Sequence, residues 1–572
     1  MGINSIKSGK KSGLFVQAGI LATAGMISRV IGVLYGSPVA AIIGDEGNGY
    51  YGAAYAIYTI ILLISSYSIP SAIAKLISGK LAVGEYKNAH RIFRCALVYV
   101  TIVGTAGSLV LFFGANILAT GRSATVLKFF APTIFLFGYL GVLRGYFQAH
   151  KTMIPTSISQ IVEQIFNAIV SVGGAYILTR FAGDADPSKK AMYGAIGNAL
   201  GTGAGVLVAL LFMLSVYYMN KKNITSEFAR DIHPDQGKKE IYRLVIMIVT
   251  PFIMSTFIYN LSTSLNSTLF SRILMNVRNL SESEVASMYG IFTRKAMLIT
   301  NLPIAFASAA ASAMIPEISG LFARKDKEGA SRTVSKVTNV ILLIAIPCAA
   351  GLFFLAKPVI MILFPQRASL DEAAMLLRIL SITVVFYSLS TVSNAVLQGI
   401  GRVNVPVFNA VIALIFQTGI LSALLIFTDI TDVALCAATI VYSFMMCILN
   451  SRSLKKSIST RNNIKKMYFL PIISAIIMGI ISSIVYKGTN YVIYDILKMT
   501  GSDIALSVNS FEEFLYSNYF ANLAGVVMAI IVAVTIYFVV LIGIGGATEE
   551  DIRKFPKGAS IVRTLKKVRV LR

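Results

Sequence analysis

Fourteen apolar runs separated by short polar segments leave this chain few ways to fold. They fall at 13–43, 50–79, 95–118, 124–148, 155–181, 191–220, 244–275, 288–319, 337–364, 374–400, 405–428, 433–450, 467–486 and 520–545. Each approaches or exceeds the roughly 20 residues with which a helix crosses about 30 Å of hydrocarbon. A backbone in lipid must satisfy its own hydrogen bonds, so runs of this length read as spanning helices. Only 13% of the residues are charged, against roughly 25% in soluble domains. The pattern predicts an all-α membrane protein of about 14 transmembrane helices.

The formal net charge of +25 would suit a nucleic-acid partner if it were gathered on one soluble face. It is instead distributed between the spans. The N-terminus, 80–94, 149–154, 221–243, 320–336, 401–404, 451–466 and the tail after 546 hold 35 Lys and Arg, with Arg144 counted at its span edge. The alternate segments, 44–49, 119–123, 182–190, 276–287, 365–373, 429–432 and 487–519, hold 8 with Arg272. By the positive-inside rule the first set is cytoplasmic, and both termini with it. This makes the chain a multi-pass membrane protein and argues against nucleic acid. Lys7, Lys10 and Lys11 resemble the start of a signal peptide, but the run that follows exceeds the roughly 7–15 residues of a cleaved segment. It reads as a retained first span. Segment 487–519, with Asp495, Asp503, Glu512 and Glu513, reads as a solvated external loop.

Cys95, Cys348, Cys436 and Cys447 all lie in apolar runs without metal-ligand spacing, and read as small buried hydrophobes. Neither a metal site nor a disulfide is expected. No nucleophile constellation or phosphate-cradling glycine loop appears, so the chain is not expected to be an enzyme. Energy for any transport would come from an Na+ or H+ gradient, the membrane potential or consumption of the product.

The sequence also repeats itself. Ile77–Arg91 and Ile318–Arg332 share an Ile-Ser-Gly start, an acid at Glu85 or Asp326, an alanine at Ala89 or Ala330, and a closing arginine. A second echo joins Gln148–Pro155 to Gln398–Pro406. Two matches in the same order, six spans apart, imply two six-helix lobes in pseudo-twofold repeat plus two C-terminal helices. The expected boundaries are 1–220 for spans one to six, 221–455 for spans seven to twelve, and 456–572 for the last two helices with a basic tail. Paired repeats around a central site are a common transporter plan.

Charges inside spans are costly and mark functional sites by default. The candidates are Arg29, Lys75, Glu163, Arg294 and Lys295. Arg29 lies mid-span beside Gly32 and Gly36, positions that let helices approach closely. Its role is either an anion contact or a salt bridge to Glu163 or bonds to backbone carbonyls. Glu163 is either a proton carrier or the partner of a buried cation. Gln160 and Gln164 suit sugar hydroxyls or polar contacts between helices, and Asn260, Ser262, Thr263, Asn266, Asn409 and Gln417 are further polar spots. Lys128, Arg144, Arg180, Lys357 and Arg378 near span ends read as snorkelling cations.

Four motifs carry a family resemblance: Leu143–Gln164, Ile27–Gly32, Gly44–Gly52 and Ser68–Leu76. Together they resemble the polysaccharide-transport branch of the multidrug/oligosaccharidyl-lipid/polysaccharide exporter superfamily, near the stage V sporulation protein B-like proteins and Gram-positive lipid II flippases. The resemblance implies alternating access and outward movement of a saccharide on undecaprenyl phosphate or pyrophosphate, for cell-wall, spore-wall or other polysaccharide synthesis. The partners it implies are that anionic lipid-linked sugar and membrane lipids, with a monomer as the working form. It also implies a cationic cavity fed by spans 1, 2 and 8. Arg29 matches that pattern, with Lys75, Arg294 and Lys295 as further substrate-binding candidates. Tyr35 and Ser65–Ser68 stand where further basic residues are expected, and Arg294 and Lys295 are out of register. A cation-coupled multidrug exporter is the first alternative, but an arginine in mid-span 1 would repel cationic drugs. A polytopic glycosyltransferase using Asp45 and Glu46 is the second. A tight turn with glycines at positive φ explains that segment better.

Overall fold

The computed structural model describes residues 14–64, 69–150, 152–183, 185–228, 231–234, 236–364, 366–458, 465–500 and 510–546. The N-terminal lysines, Ser65–Ser68 and the basic tail lie outside the described residues. Every described element is helical, and the described residues of the fourteen apolar runs lie almost entirely in helix. Among the described residues, 10 helices are long and apolar enough to span a membrane, or 11 with one bent pair counted. Packing divides the chain into two compact units, Met1–Arg294 with Leu414–Leu435, and Lys295–Ala413 with Cys436–Arg572.

The first unit begins with α1 (Leu14–Leu62), which bends at Gly44 where φ is 68°. That left-handed angle costs glycine little and other residues more. The expected external loop over 44–49 is thus a one-residue break, and helix resumes at once. Gly49 serves a different purpose from the positive φ expected of it. A Cβ on Gly49 would run into the backbone of Ala286, and one on Gly290 into the carbonyl of Asp45. The glycine run lets α1 touch α8 (Glu282–Gly290) backbone to backbone. Ser281 starts α8 with a capping box, its side chain accepting from the Glu284 N–H.

Helices α2 (Ile69–Ala82), α3 (Tyr86–Phe113), α4 (Gly121–Ala149), α5 (Ile154–Phe181), α6 (Pro187–Phe228) and α7 (Lys238–Asn276) complete this unit. Its cores are built from residues such as Ile73, Ile92, Leu143 and Val206, and from Tyr58, Leu127, Phe130 and Ala199. Gly197, Gly201 and Gly205, one turn apart on α6, press onto Gly174, Ser171 and the Glu163 carbonyl of α5. Small residues at this spacing give helices close contact where lipid supplies no hydrophobic drive. At one end Arg122 of α4 pairs with Glu282 (3.2 Å) and Asp186 (3.4 Å).

The segment between α6 and α7 is strapped onto the turn between α2 and α3. Asp231 accepts from the Lys87 N–H at 2.6 Å, and Asn88 donates to the Pro234 carbonyl while accepting from the Gln236 N–H. The Lys87 N–H, with help from His233, holds the Asp231 carboxyl below its ordinary range. Glu85 is lowered in the same way by Lys80 at 2.8 Å and by Asn88.

A π-helical turn over Ile291–Met297, begun in the first unit and ended in the second, runs into α9 (Leu298–Ala323). Then come α10 (Lys327–Phe354), α11 (Ala356–Leu363), α12 (Leu370–Leu380), α13 (Thr383–Gly399), α14 (Asn404–Phe427), α15 (Asp432–Ser457), α16 (Leu470–Met499), α17 (Phe511–Ser517) and α18 (Tyr519–Gly543). Helices α14 and α15 pass from one unit to the other. The segment expected as a loop over 487–519 is largely helical: α16 continues to Met499 and α17 follows. The extension is held because Tyr486 and Asn490 face α18. Tyr486 donates to Asn522 at 2.6 Å, and Asn490 fills the space left by Gly525. Asn522 in turn donates to the Pro358 carbonyl of α11 at 3.2 Å. The two C-terminal helices are therefore packed into the second unit.

Candidate functional site

Helices α1 and α5 lie side by side in parallel register. Ser28 donates to the Gln160 carbonyl at 3.4 Å, and Asn167 donates to the Tyr35 hydroxyl at 3.3 Å, each pair 132 residues apart. Between them Gly32 leaves room for the Gln164 amide, 3.4 Å from where a Cβ would stand. Polar groups of α5 are thereby held along one side of α1.

A neighbouring stripe of α1 carries Gly25, Arg29, Gly32 and Gly36, spaced four, three and four residues apart. These share one helix face. Arg29 is exposed and has no ion-pair partner among the described residues. Arg294 arrives over Gly36: a Cβ there would lie 2.9 Å from its Nη2. The guanidinium also sits over the Tyr35 ring, 5.6 Å from its centroid. Its Nε and Nη2 are buried without a hydrogen-bond partner among the described residues. Arg29 and Gly36 are seven residues apart, about 10 Å along the helix axis at roughly 1.5 Å per residue. Two arginines thus stand along one stripe, one of them with N–H groups turned to no protein acceptor. Oriented donors of this kind suit an anion with several oxygens, such as a phosphate or pyrophosphate.

The other predicted residues fall elsewhere. Lys75 is exposed on α2, and no described contact ties it to the arginine stripe. Lys295 is fully buried and donates to Ser369 at 2.6 Å, so its ammonium turns to the start of α12. Successive residues of a helix point roughly a quarter turn apart, and Arg294 accordingly meets Gly36 and Tyr35 while Lys295 meets Ser369. Glu163 meets Arg144, not Arg29, at 2.7 Å. Arg144, read as a snorkelling cation from its position near a span end, is 6% exposed and also bonds Ser159 at 2.9 Å. It is buried because it projects from α4 onto α5. Gln160 lies alongside with its Oε1 buried and unpartnered among the described residues.

The polar residues of α7 and α14 satisfy one another. Ser262 donates to Gln417 at 2.7 Å, and the Gln417 amide reaches Asn266. Asn409 donates to Asn450 of α15 at 2.8 Å. The Asn260 side chain lies outside the described ones. Lys357 pairs with Asp371 at 2.6 Å, anchoring α11 to α12.

Comparisons with known proteins agree with this architecture. The model of the polysaccharide biosynthesis protein family matches residues 15–322, and that of the MatE family residues 260–421. The lipid II flippase MurJ of Bacillus subtilis (strain 168) is 23% identical over 492 residues, covering 82% of this chain and 87% of that protein. Stage V sporulation protein B of the same organism is 22% identical over 488 residues, covering 84% and 91%. Among solved structures, the lipid II flippase MurJ in an inward closed conformation superposes with a TM-score of 0.63 at 13% identity, covering 91% of this chain and 98% of that one. At that identity the likeness shows a shared fold.

Proposed function

This chain belongs to the polysaccharide biosynthesis protein family, and from that premise we propose that it is a flippase carrying a lipid-linked saccharide outward across the bacterial cytoplasmic membrane. The single observation that carries the reading is Arg294, whose unpartnered Nε and Nη2 lie over the Gly36 notch on the stripe that bears Arg29. The substrate's phosphate or pyrophosphate is the ligand for these cations. Bidentate guanidinium donors supply the recognition, and the apolar surroundings keep water from competing.

The rest of the account follows from this ligand. Arg29 and Arg294 hold the phosphate, Lys75 guides it in from the membrane surface, and Lys295 fixes the π-turn that aims Arg294. Glu163 serves as counter-ion to Arg144, and Gln160 and Gln164 bond sugar hydroxyls. The lobes are 1–220 and 221–455, with 456–572 contributing the last two helices, and they work by alternating access as a monomer. Both termini face the cytoplasm, a reading supported by the charge asymmetry of the connecting segments. An Na+ or H+ gradient or the membrane potential drives the cycle.

The match to the MatE model favours one other reading, a drug exporter of the same superfamily. The charge at mid-span 1 argues against it, since Arg29 would repel cationic drugs. The test is complementation of a bacterium depleted of its lipid II flippase. Growth is expected with the wild-type chain, loss with Arg29→Ala at normal membrane levels, and partial rescue with Arg29→Lys. Full activity of Arg29→Ala would remove Arg29 from the anion site. Drug efflux independent of Arg29, without complementation, would favour the exporter.

A further inference from the structure

Three tyrosines of α1, Tyr51, Tyr55 and Tyr58, follow one another at four and three residues and so share a helix face. The outer two are buried, at 8% and 2% exposure, whereas Tyr55 between them is 42% exposed. Tyr51 stacks on Tyr55 at 5.6 Å and 15°, Tyr58 meets it at 5.7 Å, and Phe130 of α4 meets it edge-on at 5.9 Å. The ring is therefore held in one orientation with part of its surface uncovered.

What lies around this face identifies its direction. Gly52, three residues before Tyr55, lies against Thr293, the residue before Arg294: a Cβ there would stand 2.9 Å from the Thr293 hydroxyl, and the Tyr51 hydroxyl is 3.4 Å from that of Thr202 on α6. Gly205, three residues on from Thr202, meets the Glu163 carbonyl of α5. Tyr55 thus shares its stretch of α1 with contacts to the turn that bears Arg294 and to the α6 stripe that packs on Glu163.

We propose that the Tyr55 ring is a carbohydrate subsite, the platform on which a sugar of the lipid-linked substrate stacks while its phosphate lies at Arg294. This rests on the flippase reading above. A pyranose has one face of C–H groups and a rim of hydroxyls. The C–H face packs on an aromatic ring, and the rim needs hydrogen-bonding groups. Glu163 and the amides of Gln160 and Gln164 supply those on α5. The rigid stack limits the entropy lost when the sugar docks.

The chain contains no Trp, so Tyr55→Trp introduces a single local fluorophore that keeps an aromatic surface. Purified full-length Tyr55→Trp in lipid nanodiscs is titrated with lipid II and, separately, with undecaprenyl pyrophosphate, which keeps the pyrophosphate on the same lipid without the sugar and has one more ionisable oxygen on its unesterified terminal phosphate. The emission is expected to shift with lipid II and to stay unchanged with undecaprenyl pyrophosphate. In direct binding, Tyr55→Ala is expected to weaken lipid II about tenfold, the equivalent of about 1.4 kcal/mol. Undecaprenyl pyrophosphate should bind Tyr55→Ala as it binds wild type, and Tyr55→Phe should bind both normally.

Equal binding of lipid II by wild type and Tyr55→Ala, or equal weakening of both lipids, would overturn the subsite. If Arg294→Ala bound both lipids as well as wild type, the anion-site reading would fail instead, separately from the sugar subsite.

Discussion

Removing the Glu163 carboxylate should destabilise the protein mainly by stranding Arg144. The guanidinium is 6% exposed, its Nη2 is 2.7 Å from Glu163, and its Nε is bonded to Ser159. Breaking a buried pair from one side costs about 3–5 kcal/mol, because the remaining charge is left unpaired in a poorly solvated place. Glu163 keeps 22% exposure of its side chain, and the Ser159 bond survives, so the lower end applies: about 3 kcal/mol for Glu163→Ala. Glu163→Gln keeps an acceptor but loses the charge and should cost about 1–2 kcal/mol. The double replacement Arg144→Met with Glu163→Leu removes the stranded charge and should return to within about 1 kcal/mol of wild type. Thermal unfolding of the purified protein reads these differences. At roughly 2 °C per kcal/mol for a large domain, Glu163→Ala should lower Tm by about 6 °C. An unchanged Tm in Glu163→Ala, together with loss of transport, would refute this account and make Glu163 a proton carrier.

Three further outcomes are expected. Gly201→Leu, which drives a side chain into the Ser171 backbone across the α5–α6 contact, should destabilise by at least the roughly 1–3 kcal/mol of an overpacked core; an unchanged Tm would mean the two helices are not in close contact. Asp231, whose folded pKa is depressed by the Lys87 N–H, contributes stability that is present above the unfolded carboxylate pKa of about 3.9 and lost as pH falls through the lower folded value. Asp231→Asn should flatten that acid-side decline, and an unaltered Tm-versus-pH curve would count against the strap. In a cysteine-free background, Val83→Cys should react with an impermeant thiol reagent only from the cytoplasmic side and Lys189→Cys only from outside; the reverse pattern would invert the topology.

The spans were legible because crossing lipid demands a length of apolar chain that nothing else in the sequence imitates, and the described residues of the fourteen runs are almost entirely helical. Their ends were less so. Tyr486 and Asn490 prolong α16 through contacts with α18, partners that sequence spacing does not reveal. The glycines of Gly44–Gly52 were recognisable as special, but only packing shows that Gly44 bends the chain while Gly49 admits a neighbouring backbone. Among the charges, Arg29 stood out by its position in mid-span. Arg144 did not, because burial at a span end depends on which helix faces it. Arg294 and Lys295 look equivalent in sequence, and only packing shows that they meet different partners. Tyr55 gave no signal beyond being one tyrosine among the 26 in the chain.

The central claim is that this chain moves an anionic lipid-linked saccharide and holds its phosphate through Arg294. The most direct measurement is transbilayer movement of lipid II in proteoliposomes containing equal amounts of wild-type and Arg294→Ala protein. The account predicts movement with wild type and a loss of about tenfold or more with Arg294→Ala, the equivalent of one charge-assisted hydrogen bond of about 1.5–3 kcal/mol. Movement at the wild-type rate with Arg294→Ala would contradict it.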